Sequence, residues 1–157
     1  MIILSIDPGV ERFGFAILKK SDSTISYITS GVIETNKSES HTRRVGEIYS
    51  HLLPLLTHNK PEKVVFERLF FSKNVKTALA VAQVQGIIYL AGYLNNIPVA
   101  EIAPNAIKAI VTGYGQADKK AVQKMVELQL NLPDKKRLDD EYDAIACGFA
   151  YLLSERS

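Results

Sequence analysis

The chain predicts a mixed α/β domain in which an antiparallel three-strand meander is extended by parallel strands through helical crossovers and flanked by helices. Three observations lead there. Ile2–Asp7, Phe13–Leu18 and Ile25–Ile33 are β-branched and aromatic runs separated only by turn clusters, Pro8-Gly9 and Lys20-Ser21-Asp22-Ser23; connections this short join antiparallel neighbours. Beyond Thr42 the pattern changes, and short apolar runs alternate with helical spacing, as parallel strands linked by helices require. The chain of 157 residues also shows no repeat, low-complexity tract or linker, so residues 1–157 read as one domain, long enough for a substantial core.

Each later element has its own signal. A helix starts at about Thr42, with Val45, Ile48, Tyr49, Leu52, Leu53 and Leu56 at helical spacing. Pro54 lies inside that pattern and predicts a kink or interruption. His41, His51 and His58 lie in or beside this helix without metal-ligand spacing and read as surface or capping residues. Pro61 precedes a strand, Lys63–Glu67; a helix runs from about Asn74 to Leu94; Pro98–Ile102 is a further strand. Pro104 sits at a helix N1 position opening Asn105–Thr112, which Gly113 ends. Asp118 caps a helix to about Leu130, and the last helix runs from Asp139 or Asp140 to Leu153.

Composition sets limits. A hydrophobic fraction of 46% and a charged fraction of 23% are those of an ordinary globular protein. The single cysteine, Cys147, excludes an internal disulfide and falls in an apolar helical run, which fits a reducing cytoplasm. Met1 leads directly into a strand, leaving no room for a signal peptide there. Ala78–Leu94 is the longest apolar stretch, interrupted by Gln83, Gln85 and two glycines, so no membrane span is expected. The net charge of +2 is uninformative, but its distribution is not. Between Pro104 and Arg137, seven Lys and Arg residues face three acids, whereas five acids face Arg156 alone from residue 138 onward. A basic stretch beside an acidic cluster is what a metal-dependent enzyme acting on a polyanion needs.

Four acids carry the chemistry. Asp7 and Glu67 each close an apolar strand, and Asp140 and Asp143 stand three apart, on one face, at the start of an apolar helix. Asp7 before Pro-Gly also fits a simple turn, and acids in a first helical turn gain about 0.3–1 kcal/mol each from the helix dipole. The dipole account suits Asp139 and Glu141 well. Glu67 is harder to explain structurally, since glutamate is a poor strand residue. Spacing leaves Asp139 as a substitute for Asp140. Together the acids predict an all-oxygen site for Mg²⁺ or Mn²⁺. Lys119 and Lys120 lie in a first helical turn, where cations are unfavourable against the dipole, which points to phosphate contact.

The segment Ile6-Asp7-Pro8-Gly9 with Gly14, the run Glu67-Arg68-Leu69-Phe70-Phe71-Ser72-Lys73-Asn74, and Asp140-Glu141-Tyr142-Asp143-Ala144-Ile145-Ala146 resemble the RuvC family of Holliday junction resolvases. The likeness runs from the first strand to the last helix. It implies an RNase H-like fold and a homodimer that nicks four-way DNA junctions symmetrically during recombination and repair. It implies catalytic and metal-binding roles for Asp7, Glu67, Asp140 and Asp143, with two metal ions about 3.5–4 Å apart serving both ends of an in-line displacement. Phe70 matches an aromatic placed at the junction centre, with Phe71 as its one-residue alternative. Lys108 and Lys119 match basic residues handling the backbone, and Arg68, Lys73 and Lys120 join them as DNA-binding candidates. The resemblance also implies the RuvAB branch-migration motor as partner. Competing readings are a relaxed nuclease acting on flaps and forks, a non-catalytic junction-binding protein of the same fold, and a phosphate-binding domain of the actin and sugar-kinase class.

Overall fold

The structure, a computed structural model, describes residues 1–68 and 75–155. Its elements are β1 (Ile2–Asp7), β2 (Arg12–Ser21), β3 (Thr24–Glu34), α1 (His41–Asn59), β4 (Lys63–Glu67), α2 (Val75–Leu94), β5 (Val99–Ile102), α3 (Pro104–Thr112), α4 (Lys119–Leu130) and α5 (Asp139–Ser154). The strands form one sheet in the order β3-β2-β1-β4-β5. β1, β2 and β3 pair antiparallel, while β4 joins β1, and β5 joins β4, in parallel. This is the mixed sheet expected, with carboxyl ends of β1, β4 and β5 at one edge. Ligands bind beyond that edge in open α/β sheets.

The two faces of the sheet carry separate cores. Leu4, Ile6, Phe13, Ile17, Val64 and Phe66 pack with α1 and α2. Ile3, Ala16, Leu18 and Val65 pack with α3, α4 and α5. Side chains alternate along a strand, so Asp7 follows Ile3 and Ser5 onto the α5 face, and Glu67 follows Val65 there. The register Ser5–Val65 and Ile6–Phe66 sets the two carboxylates side by side, one residue beyond the last pair.

α5 lies unusually close to that face because the sequence supplies no side chain in its way. A Cβ on Gly14 would stand 2.0 Å from the backbone oxygen of Asp140, and one on Gly148 would stand 2.4 Å from Ser5 Oγ. Ala144 and Cys147 are buried beside them. On the α5 face, β2 reads Gly14, Ala16, Leu18, so the space beneath the helix is most open at the end carrying Asp140.

Two expectations change. α1 runs through Pro54 without interruption; the proline is exposed, so the carbonyl it leaves without a partner faces water. The apolar segment of α2 is not broken up by its glutamines and glycines: Thr77–Leu94 averages a hydropathy of 1.4 over 18 residues, enough by length and composition to cross a membrane. In the fold, one side of α2 is buried through Val84, Ile88 and Ala91, and Gln85 is buried among them. The other helix termini follow their signals: Gly113 adopts φ 80°, and Asp118 Oδ1 accepts from the Ala121 amide at 2.8 Å.

Gly14→Ala forces either β2 or the first turn of α5 to move. It is expected to cost about 1–3 kcal/mol in chemical denaturation. Gly46→Ala, in an exposed part of α1 with nothing within 4 Å of the added methyl, should instead gain about 0.5–1 kcal/mol.

Candidate active site

Asp7, Glu67 and Asp143 line one cavity of about 260 Å³, together with Lys108, Lys119, Pro104, Ile107, Val122 and Ala146. Three different constraints bring the carboxylates there. Strand parity turns Asp7 and Glu67 to the α5 face, the parallel register sets them side by side, and Gly14 lets the start of α5 approach. Buried Gln85 of α2 donates to the Glu67 backbone oxygen at 3.4 Å, fixing the end of β4 from the opposite face. Pro104 and Lys108 enter from α3, Lys119 and Val122 from α4.

The electrostatics are those of crowded anions. Burial and the neighbouring charges of Asp143, Asp140 and Glu67 push Asp7 up to about 7, against a lowering influence of Lys119. Glu67 is raised by burial and by Asp143, offset by Lys119 and Lys108. Lys119 Nζ donates to Asp143 Oδ2 at 2.8 Å, and that bond raises the lysine, keeping it cationic. Cys147 is buried behind these acids; burial and the charges of Glu67, Asp7 and Asp143 push its thiol far up, so it is an inert core residue.

Asp140 opens onto an adjoining groove of about 640 Å³, lined also by Gly9, Arg12, His41, Arg44 and Val81. Its carboxylate lies 3.6 Å from Arg12, yet its charge is among those raising Asp7. Asp139 is exposed and accepts from Gln123 at 3.4 Å; it is not among the charges acting on Asp7. Of the two alternatives left by spacing, Asp140 is the one whose charge acts on Asp7, whereas Asp139 acts on Lys119 at the rim of the same cavity.

The remaining predicted residues divide. Lys108 and Lys119 line the cavity, while Lys120 is exposed and lies outside its lining. Arg68 is exposed and paired with Glu101 at 2.9 Å. Phe70, Phe71 and Lys73 lie outside the described residues. Sequence reasoning missed Arg12 and Arg44, whose signal was a pair of cations near the Pro8-Gly9 turn and at the start of α1. It also misread Glu141, taken for a helix-dipole acid; the side chain is buried.

Among the described residues, no three acidic, histidine or cysteine side chains close into a ready ligand set. Asp143 and Asp140 are held instead by Lys119 and Arg12. The donor chemistry nevertheless fits a divalent cation: the carboxylates are hard oxygen donors, and their mutual repulsion at Asp7 is what a cation relieves.

A mixed sheet of this order with carboxylates at the strand ends and under α5 defines an RNase H-like nuclease domain. Residues 3–151 match the family described as "Crossover junction endodeoxyribonuclease RuvC". Proteins of that name are similar over nearly the full chain: one from Thermosipho melanesiensis is 44% identical over 99% of both chains, and one from Thermotoga maritima is 40% identical over 99% of this chain and 92% of its own. The Thermus thermophilus RuvC solved in complex with a Holliday junction substrate superposes with a TM-score of 0.90 at 28% identity, covering 98% of this chain and 93% of that one. The chain belongs to the RuvC family.

The Asp7 shift has a measurable consequence for the metal-free protein. A carboxyl raised in the folded state binds more protons folded than unfolded, so its contribution to stability falls as pH rises from its unfolded value towards about 7. In EDTA, wild type should therefore lose melting temperature relative to Asp7→Asn between about pH 4 and about pH 7. A difference that does not change with pH would contradict the placement of Asp7 among anions.

Proposed function

We propose that this protein resolves four-way DNA junctions as a homodimer, hydrolysing one phosphodiester at each of two symmetry-related sites, in recombination and repair in the bacterial cytoplasm. The observation that carries this reading is the convergence of Asp7, Glu67 and Asp143 in one cavity with two lysines, and Asp140 at its margin. RuvC-family nucleases are metal-dependent. Asp7, Glu67, Asp140 and Asp143 are the residues that would hold Mg²⁺ or Mn²⁺, two ions to a site. When bound, the ions supply Lewis-acid stabilisation of the attacking and leaving oxygens.

The chain's own residues do the rest. Lys119, kept cationic by Asp143, and Lys108 offer donors to a phosphate oxygen, which is where negative charge builds up during hydrolysis. Lys119 opens α4 directly after the Asp118 cap and is held by Asp143, while Lys108 lies in the middle of α3. Arg12 and Arg44 line the adjoining groove beside Glu11 and Asp140 and offer further donors to the strand's phosphates. Phe70 is assigned to stacking on bases at the junction centre, worth about 1–3 kcal/mol per base, with Phe71 as alternative. Arg68, Lys73 and Lys120 are assigned to contacts with the DNA backbone.

The exposed face of α2 supports the dimer. Leu90, Tyr93 and Leu94 cluster at the end of α2, with Leu79 about three turns earlier, and all four are more than half exposed, as apolar side chains at an interface are. A two-fold dimer matches a substrate with two equivalent strands to cut. This face also accounts for the membrane-like hydropathy of α2. RuvAB is assigned as an assembly partner on the family relationship alone.

Asp7→Asn should abolish nicking of a mobile four-way junction in Mg²⁺ or Mn²⁺ while leaving junction binding in Ca²⁺ close to wild type. Flap and plain duplex substrates run in parallel test selectivity: equal cleavage of flaps would replace junction resolution with general branched-DNA cleavage. Leu90→Glu with Tyr93→Glu should give a monomer by sedimentation that no longer cuts both strands of one junction in a single encounter.

A further inference from the structure

Glu141 stands between Asp140 and Asp143 in the first turns of α5, but it serves neither the cavity nor the groove. Its side chain is buried, 5% exposed as a residue, and points at β3. There Ser30 Oγ donates to Oε1 at 2.5 Å, and Lys135 Nζ lies 2.7 Å from the same oxygen. Arg137 lies beneath, its side chain 2% exposed, with Nε 3.6 Å from Oε1. That distance makes an ion pair but no hydrogen bond, and Nε and Nη2 have no hydrogen-bond partner. The guanidinium is stacked between Tyr27 and Tyr142, 5.8 and 5.9 Å from their ring centres. Tyr27 and Ser30 share a further hydrogen bond, at 2.9 Å.

A buried charge cluster of this kind is a poor device for stability, because desolvation consumes most of the Coulombic gain. What it fixes is direction. α5 begins with three acids and has no side-chain cap: its N-cap residue is Leu138. Like charges in that turn repel one another, and Asp140 and Asp143 add to the repulsion at Asp7. Ser30 pairs with Ala16 in the sheet, so the bond to Glu141 ties the first turn of α5 to β3, while Gly14 admits it over β2.

We propose that Glu141, held by Ser30, Lys135 and Arg137, is a positioning residue that sets the rotation of the α5 first turn and thereby presents Asp140 and Asp143 to divalent cations. The proposal rests on the assignment of those two acids as ligands. Replacing Glu141 alone strands Arg137 in the interior, so the informative variants are Ser30→Ala and the apolar pair Arg137→Met/Glu141→Leu, whose similar volume keeps the core filled.

Mn²⁺ binding is measured on each by titration calorimetry without DNA, beside melting temperature and the Mn²⁺ dependence of junction nicking. The expected result is melting at or above wild type for the apolar pair, with Mn²⁺ bound roughly 10-fold or more weakly and nicking partly recovered at raised Mn²⁺. Mn²⁺ affinity within about twofold of wild type, where such partners ordinarily cost 10-fold or more, would overturn the proposal. If the apolar pair does not fold, Ser30→Ala decides by the same affinity criterion. Asp143→Asn is run alongside: wild-type Mn²⁺ binding and nicking by that variant would overturn the ligand assignment instead, whatever Glu141 does.

Discussion

The contact on which the site depends is between two backbones: the first turn of α5 lies against β2 at Gly14, where a single methyl group would reach 2.0 Å from the Asp140 carbonyl. The strands by themselves deliver only Asp7 and Glu67. Asp140 and Asp143 come from the far end of the chain, and they arrive at the same edge only because α5 is allowed to sit that close. Gly148 repeats the device against Ser5 at the next turns of the helix. Packing that is usually a matter of core stability is here what assembles the chemistry.

Assembly of this sort has an electrostatic cost that the fold offsets locally. Asp7 is raised to about 7 because burial and three other acids all oppose its charge. Lys119 and Lys108, delivered by two short helices packed beside α5, oppose that trend. Under the proposed function, the same cations are the groups set to meet a phosphate. In the resting protein Lys119 already has a carboxylate partner, Asp143, and on the proposed reading a phosphate is a second partner of the same kind.

How much was legible in the sequence depended on whether the signal was local. Strand ends, helix caps and the meander were: Asp118, Gly113 and Pro104 act on their own neighbours, and the sheet came out in the expected arrangement. That Asp7 and Glu67 share a face came only with the β1–β4 register, but that they close apolar strands was readable too. Glu141 was not, because a first-turn acid facing solvent and one buried against β3 have the same sequence signature, and only Ser30, 111 residues away, separates them. Pro54 misled for a related reason: whether a proline ends a helix depends on whether the carbonyl it orphans can reach water. The hydropathy of α2 was undervalued because interrupting glutamines were read as polar breaks. Gln85 instead turns inward and bonds the Glu67 backbone.

The acids at the start of α5 show why charge alone does not predict role. Asp139 faces solvent and Gln123, Asp140 faces Arg12 and the groove, Glu141 faces β3, and Asp143 faces Lys119 and the cavity. Successive helical residues turn by about a hundred degrees, so adjacent carboxylates of one turn meet entirely different surroundings. The cluster is less a reservoir of negative charge than a set of separately aimed groups. Their aim is set by how the helix is rotated about its axis. Any force that turns α5, whether a methyl at Gly14 or a missing anchor on β3, therefore acts on the cavity and the groove together.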